Sequence, residues 1–430
     1  MEKQSRYNYF IDYNNKKLLF NGLTGSGFCR SIVEYDKLLD MLKDMKTFKE
    51  TFPNDFDRLK KLGFIIDESF DEVAYIRFMN KKRVFDNQNY HLIINPTLSC
   101  NFRCWYCYED HSSGKMSNKI VRRIKKHIKY KVEVEKISSL MIGWFGGEPL
   151  LCFDSVVYPI SIYAKNICKK NNIPYSCNIT TNGYLINEEM LPRLRKIELF
   201  NYQITLDGNR EMHNSIRNVL GKPSYDKIIG NINLLCNHIG NVHIHLRINY
   251  DADTFKDENV FSILDEFPSS IRKKITINTQ QVWQSKDEVL NNKQIFCDFI
   301  KTAKKESYNV ICGGELRIRT FYTCYASRIN YANINYDGKV YKCTARNYTA
   351  DNSVGILDNN GIIQWQKDKL SKMYSILPIE NKNCLGCRYL PLCNGSCVQN
   401  FIENGASCSY KNKEEFFINE IKRFYSNREK

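Results

Sequence analysis

The sequence has no apolar run of the roughly 18–20 residues that a membrane-spanning helix requires. Its N-terminal segment also lacks the apolar stretch and small-residue cleavage site of a secretory signal. We therefore expect a cytoplasmic protein without a membrane partner. With 43% hydrophobic and 13% aromatic residues, the chain has the composition of a folded globular protein. Its 430 residues suffice for one large domain and one or two smaller ones.

The charge is strongly positive, because 63 basic residues face 47 acidic ones and give a net charge of +16. Such a surplus favours an anionic partner such as nucleic acid, a membrane surface or an acidic polypeptide. The basic residues are spread along the chain, however, and no single element combines basic with aromatic residues as a nucleic-acid surface does. We expect no nucleic-acid partner, whereas an acidic peptide is compatible with this charge.

Seventeen cysteines are present. Disulfides are rare in the reducing cytoplasm, and an odd count leaves at least one thiol unpaired. Many of these cysteines are therefore candidate metal ligands.

Three segments differ in pattern. Residues 1–90 contain two short strands around an Asn-Asn-Lys-Lys turn, followed by helical spacing that ends at Gly63, and this order predicts a winged-helix-like module. Residues 91–307 alternate between apolar strands and helices, which predicts an α/β fold of parallel βα units. Six such units fall short of the eight of a closed barrel, so we expect a partial (β/α)6 barrel with an open side. Residues 308–430 are rich in cysteine, which predicts a metal-cluster domain with a C-terminal amphipathic helix.

The most informative motif follows the first strand of the barrel. Cys100, Cys104 and Cys107 have C-x3-C-x2-C spacing, and Tyr106 precedes the last of them. Three soft thiolates in one loop can bind three irons of a [4Fe–4S] cluster and leave the fourth iron open to a small molecule. A structural zinc site would normally need four protein ligands. The motif resembles the signature of radical S-adenosylmethionine (SAM) enzymes. That resemblance implies that Cys100, Cys104 and Cys107 hold a catalytic cluster, which cleaves SAM reductively to a 5′-deoxyadenosyl radical.

Polar residues at the ends of the later strands resemble the SAM contacts of the same family. Gly146, Gly147, Glu148 and Pro149 match its GGEP element, in which the carboxylate meets the SAM ammonium group. The further positions that the resemblance implies for SAM binding are Tyr106, Thr181, Asn182, Thr205, Asp207, Arg217, Arg247 and Asn249. An arginine among them would pair with the SAM carboxylate.

The C-terminal cysteines resemble the SPASM extension of radical SAM enzymes, which holds two auxiliary [4Fe–4S] clusters. The resemblance implies an outer cluster on Cys384, Cys387, Cys393 and Cys408, and an inner cluster on Cys324, Cys343 and Cys397. Cys312 is the candidate fourth ligand of the inner cluster, and an open iron is the alternative. Zinc is the alternative metal, because this spacing also suits a zinc knuckle. The remaining cysteines are predicted to be small core residues: Cys29, Cys152, Cys168, Cys177, Cys236 and Cys297.

The resemblance implies an oxidoreductase that acts on a peptide or protein, with three [4Fe–4S] clusters, SAM, and a flavodoxin or ferredoxin as electron donor. One hypothesis is a maturase that installs a thioether, a carbon–carbon crosslink or a related modification in a ribosomally made precursor peptide, whose leader would bind the N-terminal module. The other is an anaerobic sulfatase maturase that forms formylglycine. Sulfatase maturases begin close to the cluster motif and carry an aspartate where this chain has Thr344, so the sequence favours the peptide maturase. A zinc-binding nucleic-acid protein is the alternative from another class.

Overall fold

The computed structural model describes residues 1–251, 253–282, 284, 293–312, 323–405, 408, 410 and 412–426. The strands are β1 (Glu2–Gln4), β2 (Asn8–Tyr13), β3 (Lys16–Asn21), β4 (Ser26–Arg30), β5 (Ile65–Asp67), β6 (Asn89–Ile94), β7 (Ser139–Trp144), β8 (Tyr175–Thr181), β9 (Leu199–Leu206), β10 (His243–Tyr250), β11 (Ile275–Gln281), β12 (Asn309–Cys312), β13 (Tyr331–Ile334), β14 (Lys339–Tyr341), β15 (Gly355–Leu357) and β16 (Ile363–Trp365). The α-helices are α1 (Ile32–Met41), α2 (Met45–Thr51), α3 (Pro53–Leu62), α4 (Glu72–Val84), α5 (Asn118–Lys129), α6 (Tyr158–Lys170), α7 (Leu191–Lys196), α8 (Arg210–Ile216), α9 (Tyr225–His238), α10 (Ser262–Asp265), α11 (Ser269–Arg272), α12 (Lys293–Lys305), α13 (Lys367–Ser375), α14 (Lys382–Leu385), α15 (Leu390–Cys393), α16 (Val398–Asn404) and α17 (Lys413–Ser426). Within this described part, no helix combines the length and the apolarity that crossing a bilayer would demand.

The chain forms two compact units. The first unit consists of Met1–Asp86, Gly314–Ile329 and Asp368–Lys430, and the second of Asn87–Gly313 and Asn330–Lys367. These boundaries differ from the three consecutive segments expected from the sequence. The N-terminal module shares a unit with the last cysteines, and residues 330–367 belong with the parallel sheet.

In the first unit, β2, β3 and β4 form an antiparallel sheet in that order. The turn between β2 and β3 is made by Asn14 and Asn15, both with positive φ, which is typical of a two-residue hairpin. The predicted helices correspond to α1 and α3, and Gly63 ends α3 with a left-handed φ of 86°. The predicted hairpin and both helices are therefore confirmed, whereas α2, α4, β4 and the β1–β5 pair were not predicted.

In the second unit, one sheet runs in the order β12-β11-β10-β9-β8-β7-β6-β13-β14-β15-β16. Strands β6 to β11 are the six predicted strands, and all of them pair in parallel. The sheet also gains parallel strands at both ends of this set, because β12 pairs with β11 and β13 pairs with β6. The α/β fold expected from the sequence is confirmed. The two additional parallel strands have four residues each, too few to show a clear alternation in the sequence.

The two faces of the parallel sheet differ in polarity. Strand β10 shows this, because Ile244, Leu246 and Ile248 are fully buried in the core that the helices cover. The residues between them, His243, His245 and Arg247, are half-buried and lie on the opposite face. Since parallel strands end at the same edge of a sheet, the loops after β6 to β10 are brought together there.

Candidate functional site

The cysteine loop after β6 packs closely against the residues that follow β7. The backbone N–H of Gly147 donates to the carbonyl of Thr97 over 3.2 Å, and that of Glu148 donates to the carbonyl of Ser99 over 2.9 Å. A Cβ atom on Gly147 would overlap the backbone carbonyl groups of Leu98 and Ser99. This glycine is therefore required for the approach of the chain's own loop.

Glu148 is fully buried and joins two strand ends. Its Oε1 accepts hydrogen bonds from the N–H of Leu150 (2.9 Å) and the hydroxyl of Thr181 (2.8 Å), and its Oε2 accepts one from the N–H of Asn182 (2.8 Å). Burial raises the pKa of this carboxyl group, while the three donors and Arg217 favour its ionised form. A carboxylate has about four acceptor positions, so about one is left for a cationic ligand.

Asn182 connects the end of β8 to the cysteine loop. Its Nδ2 donates to Asn101 Oδ1 over 2.8 Å and lies 3.9 Å from Cys100 Sγ. Its Oδ1 accepts from the N–H of Tyr184 over 3.0 Å, which fixes the orientation of the amide. Asn182 is thus a predicted site residue that the structure places beside the first cysteine.

Tyr106 is the centre of a second polar network. Its hydroxyl donates to Asp207 Oδ2, and it accepts hydrogen bonds from Arg217 Nη1 (2.8 Å) and Asn249 Nδ2 (3.0 Å). Arg217 Nη1 also lies 3.9 Å from Asp207 Oδ2, and Arg247 Nε donates to Asn249 Oδ1 over 2.7 Å. Five residues that the sequence predicted for SAM binding are thus brought together beside the cysteine motif.

His213 supports this network from behind. Its Nδ1 accepts from the N–H of Asp207 over 3.2 Å, so the proton of the neutral ring resides on Nε2. Nε2 then donates to the hydroxyl of Ser224 over 3.0 Å, and that hydroxyl donates to the carbonyl of Arg217. Burial lowers the pKa of His213 well below its ordinary value, which is consistent with a neutral ring. His213 therefore fixes the backbone of Asp207 directly and that of Arg217 through the hydroxyl of Ser224.

The remaining predicted positions also lie at this edge of the sheet. Thr205 is nearly buried and pairs in register with Arg247, and Pro149 begins a buried 3₁₀ turn after Glu148. Three residues that the sequence did not predict as site residues are also found near the motif: Asn95, Asn101 and Glu109. Burial, with Asp110 nearby, raises the pKa of the Glu109 carboxyl to about 8. In the sequence, only the proximity of these three residues to the cysteine motif indicates that they lie at the site.

The donor set fits an iron–sulfur cluster and SAM. Cys100, Cys104 and Cys107 carry three free thiols on one loop, the type of group that iron–sulfur clusters use as ligands. Burial raises the pKa of the Cys100 thiol to about 12, so metal binding must displace its proton. Two charged side chains of the Tyr106 network also have polar atoms without a hydrogen-bond partner among the described residues, namely Asp207 Oδ1 and Arg217 Nε. Such buried atoms are suited to a polar ligand.

A second group of cysteines lies in the first unit. Cys384, Cys387, Cys393 and Cys408 line one cavity of about 80 Å³. These thiols are close enough that the charges of Cys387 and Cys408 contribute to raising the pKa of Cys384, after burial. A cavity of this size holds several water-sized groups and is larger than a single ion requires. No three His, Cys, Asp or Glu side chains in the described ranges converge as the ligands of one metal ion would. The four residues are those that the sequence predicted for an outer cluster.

The other predicted ligands are distributed over both units. Cys324 and Cys397 belong to the first unit, where each immediately precedes a helical turn. Cys343 belongs to the second unit and follows β14, with its Sγ accepting from the N–H of Ala345 over 3.3 Å. Cys312 ends β12, but its side chain lies outside the described residues. The ligand set of an inner cluster therefore remains a prediction.

The cysteines without motif partners fall into two groups. Cys152, Cys168, Cys177 and Cys236 are buried in the core of the second unit, which confirms the prediction for them. Cys29 and Cys297 are only half-buried, and Cys29 packs against the core that contains β2 and β3. Cys29 lies on β4, which is an edge strand of its sheet, and an edge strand is covered less completely.

The sequence comparison identifies the class of this site. Residues 94–261, which include the three-cysteine loop, Glu148 and Asp207, match the Radical SAM superfamily. The chain therefore carries a radical SAM domain, and the resemblance drawn from Cys100, Cys104 and Cys107 is confirmed.

Two curated relatives and one solved structure extend this result. A serine-type anaerobic sulfatase-maturating enzyme from Bacteroides thetaiotaomicron is 29% identical over 153 residues, which cover 32% of this chain and 34% of that protein. The radical SAM cyclopropyl synthase TigE from Paramaledivibacter caminithermalis is 21% identical over 448 aligned positions, which cover 90% of this chain and 87% of that protein. Streptococcus suis SuiB bound to its precursor peptide SuiA has a TM-score of 0.53 and 15% identity, with 94% of this chain and 97% of that chain covered.

The alignments cover different fractions of the proteins compared. The curated relatives that are 25–32% identical are matched over only 34–44% of their own length. The likeness to SuiB shows that the fold is shared over most of the chain.

Proposed function

We propose that this protein is a radical SAM peptide maturase that modifies a ribosomally synthesised precursor peptide, by a crosslink such as a thioether or carbon–carbon bond or by a related modification. The observation that carries the proposal is the Tyr106 network. It places Asp207, Arg217, Arg247 and Asn249 next to a three-cysteine loop within a radical SAM domain.

The residues of the site have distinct roles in this proposal. Cys100, Cys104 and Cys107 hold a [4Fe–4S] cluster, which when bound with SAM supplies a hydrogen-abstracting radical. Glu148 offers its remaining acceptor position to the SAM ammonium group, and Arg217 or Arg247 pairs with the SAM carboxylate. Tyr106 and His213 keep these charged groups oriented.

One contact argues against the formylglycine reaction of sulfatase maturases. The hydroxyl of Tyr108 donates to the carbonyl of Thr344 over 2.8 Å, so Thr344 lies beside the cysteine loop. Its side chain carries a hydroxyl group where sulfatase maturases carry the carboxylate of an aspartate. A threonine hydroxyl does not accept a proton at neutral pH, so this position cannot act as the base of that reaction.

Two auxiliary [4Fe–4S] clusters complete the proposed cofactor set. The cavity lined by Cys384, Cys387, Cys393 and Cys408 would hold the outer cluster. Cys324, Cys343 and Cys397 would bind the inner cluster, with Cys312 as its candidate fourth ligand. Such clusters would supply one-electron acceptors beside the substrate site, and a flavodoxin or ferredoxin is the proposed electron donor.

The N-terminal module offers a groove for a leader peptide. Strand β4 is an edge strand of its sheet. The cavity beside it has a volume of about 190 Å³ and is lined by Phe28, Arg30, Glu34, Lys37, Leu38, Met41, Phe48, Asp55, Arg58 and Leu59. An edge strand next to an apolar groove suits an extended peptide that adds a strand. The three basic residues of the lining exceed its two acidic ones, which favours a leader with acidic side chains.

The test begins with iron and sulfide per chain after anaerobic reconstitution, together with 5′-deoxyadenosine release from SAM under dithionite. We expect about 12 iron atoms per chain from three four-iron clusters. The variant with Cys100, Cys104 and Cys107 changed to Ala should retain about 8 iron atoms and release no 5′-deoxyadenosine. Release by that variant would disprove the assignment of the catalytic cluster. A short reading frame beside the gene would supply the peptide for product analysis by mass spectrometry.

A further inference from the structure

Two cysteines of the outer-cluster cavity, Cys387 and Cys393, pack against a hydrophobic core that includes the N-terminal hairpin. Tyr9 and Ile11 of β2 and Leu18 and Phe20 of β3 pack in one cluster with Tyr389, Leu392, Phe417 and Ile421. Tyr389 and Phe417 also line the cavity that contains the four thiols. The N-terminal hairpin thus packs behind two side chains of the cavity wall, Tyr389 and Phe417, from nearly 400 positions away in the sequence.

Two N-terminal side chains bond to the backbone on either side of Cys387. Arg6 Nη2 donates to the carbonyl of Gly386 over 3.1 Å, and the hydroxyl of Tyr9 donates to the carbonyl of Arg388. The backbone is therefore held by hydrogen bonds at Gly386, just before Cys387, and at Arg388, just after it. Peptide carbonyls in an exposed loop would otherwise be bonded to water, and the loop could then adopt several conformations.

The aromatic rings extend this connection into the cavity wall. The Tyr9 ring stacks on the Tyr389 ring with a centroid distance of 5.7 Å, and Tyr389 stacks on Phe417 at 4.9 Å. The Arg388 guanidinium lies 5.1 Å from the centroid of the Tyr9 ring. Stacked pairs of this kind stabilise a contact beyond the effect of the area that they bury.

Strand β3 connects this wall to the groove. Its Leu18 and Phe20 face the core that contains Tyr389, whereas Leu19 packs with Phe48, Phe56 and Leu59 in a different core. Phe48 and Leu59 line the groove beside β4. One three-stranded sheet therefore separates the cysteine cavity from the groove, with each face packed against one of them.

We propose that Arg6 and Tyr9 position the Cys387 loop for the outer cluster, and that occupancy of the four cysteines stabilises the N-terminal hairpin and its groove. Anything that binds the folded form of a unit more tightly than the unfolded form stabilises the folded form, and the folded unit brings these four cysteines to one cavity. By linkage, the hairpin in its folded form retains the cluster more firmly. The coupling between the four cysteines and the hairpin is inferred from the packing around the cavity. An effect of this coupling on peptide binding in the groove rests on the proposed function.

Hydrogen–deuterium exchange of the β2 and β3 amides tests the coupling. We expect these amides to exchange at least about tenfold more slowly in the reconstituted protein than in the cluster-free protein. The variant with Cys384 and Cys387 changed to Ala should lose about four iron atoms and exchange like the cluster-free protein. The variant with Cys100, Cys104 and Cys107 changed to Ala should also lose about four iron atoms and still protect the hairpin. Equal exchange of β2 and β3 with and without clusters would overturn the coupling.

The positioning role is tested with single variants. Tyr9→Phe removes the hydroxyl that bonds to Arg388 and keeps the stacked ring, and Arg6→Met removes the bond to Gly386. We expect both to release iron to a chelator severalfold faster and to shift the midpoint potential of one auxiliary cluster. Lys16→Ala, an exposed change in the same hairpin, serves as the control and should do neither. Unchanged iron release and potential in both variants would overturn the role. If these variants behave as expected but no SAM is cleaved by the wild-type protein, the proposed function fails and the coupling stands.

Discussion

The hydroxyl of Tyr106, between the second and third cysteines of the loop, donates a hydrogen bond to the carboxylate of Asp207 at the end of β9. The same oxygen accepts from Arg217 and Asn249. The Tyr106 hydroxyl thus connects the cysteine loop by hydrogen bonds to three later segments at the sheet edge. A substitution in one of these segments should therefore alter the position of the others.

Tyr106→Phe tests this relationship. The change leaves the donors of Arg217 and Asn249 without their acceptor, and a buried donor that loses its partner costs about 1–3 kcal/mol. We expect roughly a 10-fold or larger loss of SAM affinity, measured by equilibrium binding to the reconstituted protein. Tyr108→Phe is the comparison variant, since it removes the neighbouring phenol hydroxyl that donates to the carbonyl of Thr344. An equal effect of both changes would contradict the role of the network.

Glu148→Gln should destabilise the protein as well as weaken SAM binding. Glu148 accepts three hydrogen bonds and donates none, whereas a glutamine would bring an NH₂ group against at least one of these N–H or O–H donors. We expect a loss of about 2–3 kcal/mol in the free energy of unfolding, measured by urea denaturation of the cluster-free chain. Glu189→Gln, at an exposed position, should change this free energy by less than about 0.5 kcal/mol. Equal stability of Glu148→Gln and the wild type would show that the carboxylate is not needed for the two strand ends.

Local patterns in the sequence indicate strand ends more readily than they indicate which distant segments pack together. Strand ends followed by polar residues are local patterns, so Glu148, Asp207 and Asn249 could be placed at one edge before the structure was known. The pairing of β13 with β6 joins residues about 240 positions apart, and no local pattern indicates it. The same holds for Tyr9 on Arg388, because a hydrogen bond to a backbone carbonyl leaves no trace in the residue type of its acceptor. The SAM role given to Gly147 was incomplete, since the packing of its own loop already requires a glycine there.

Gly147→Ala should therefore disrupt the cysteine loop. Its new Cβ would overlap two backbone carbonyls, which cannot move without displacing Leu98 and Ser99. We expect loss of about four iron atoms per chain and of 5′-deoxyadenosine release. Gly230→Ala is the control, because a Cβ at this position in α9 meets no atom within 4 Å. It should keep all the iron and raise the free energy of unfolding by about 0.5–1 kcal/mol, since alanine is the better helix former. Full iron content in Gly147→Ala would contradict the close packing.

His127 should give the second unit a measurable dependence on acid. Its Nδ1–H donates to the carbonyl of Gly361 over 2.8 Å, and its Nε2 accepts from the hydroxyl of Tyr90 over 2.6 Å, so the ring is neutral in the folded state. Burial, with a smaller contribution from Lys131, lowers its pKa from 6.5 to about 4. In the unfolded chain the imidazole has its ordinary pKa, so between pH 6.5 and about 4 the unfolded state binds more protons, and stability falls as the pH falls. From pH 7 to pH 5 this residue should remove about 2 kcal/mol from the free energy of unfolding.

His127→Gln should be less stable at pH 7 but should lose about 2 kcal/mol less over that interval. Urea denaturation of the cluster-free proteins at both pH values gives the comparison, with His238→Gln as the exposed control. If wild type and His127→Gln lose the same free energy between pH 7 and pH 5, the histidine is not held neutral by its burial.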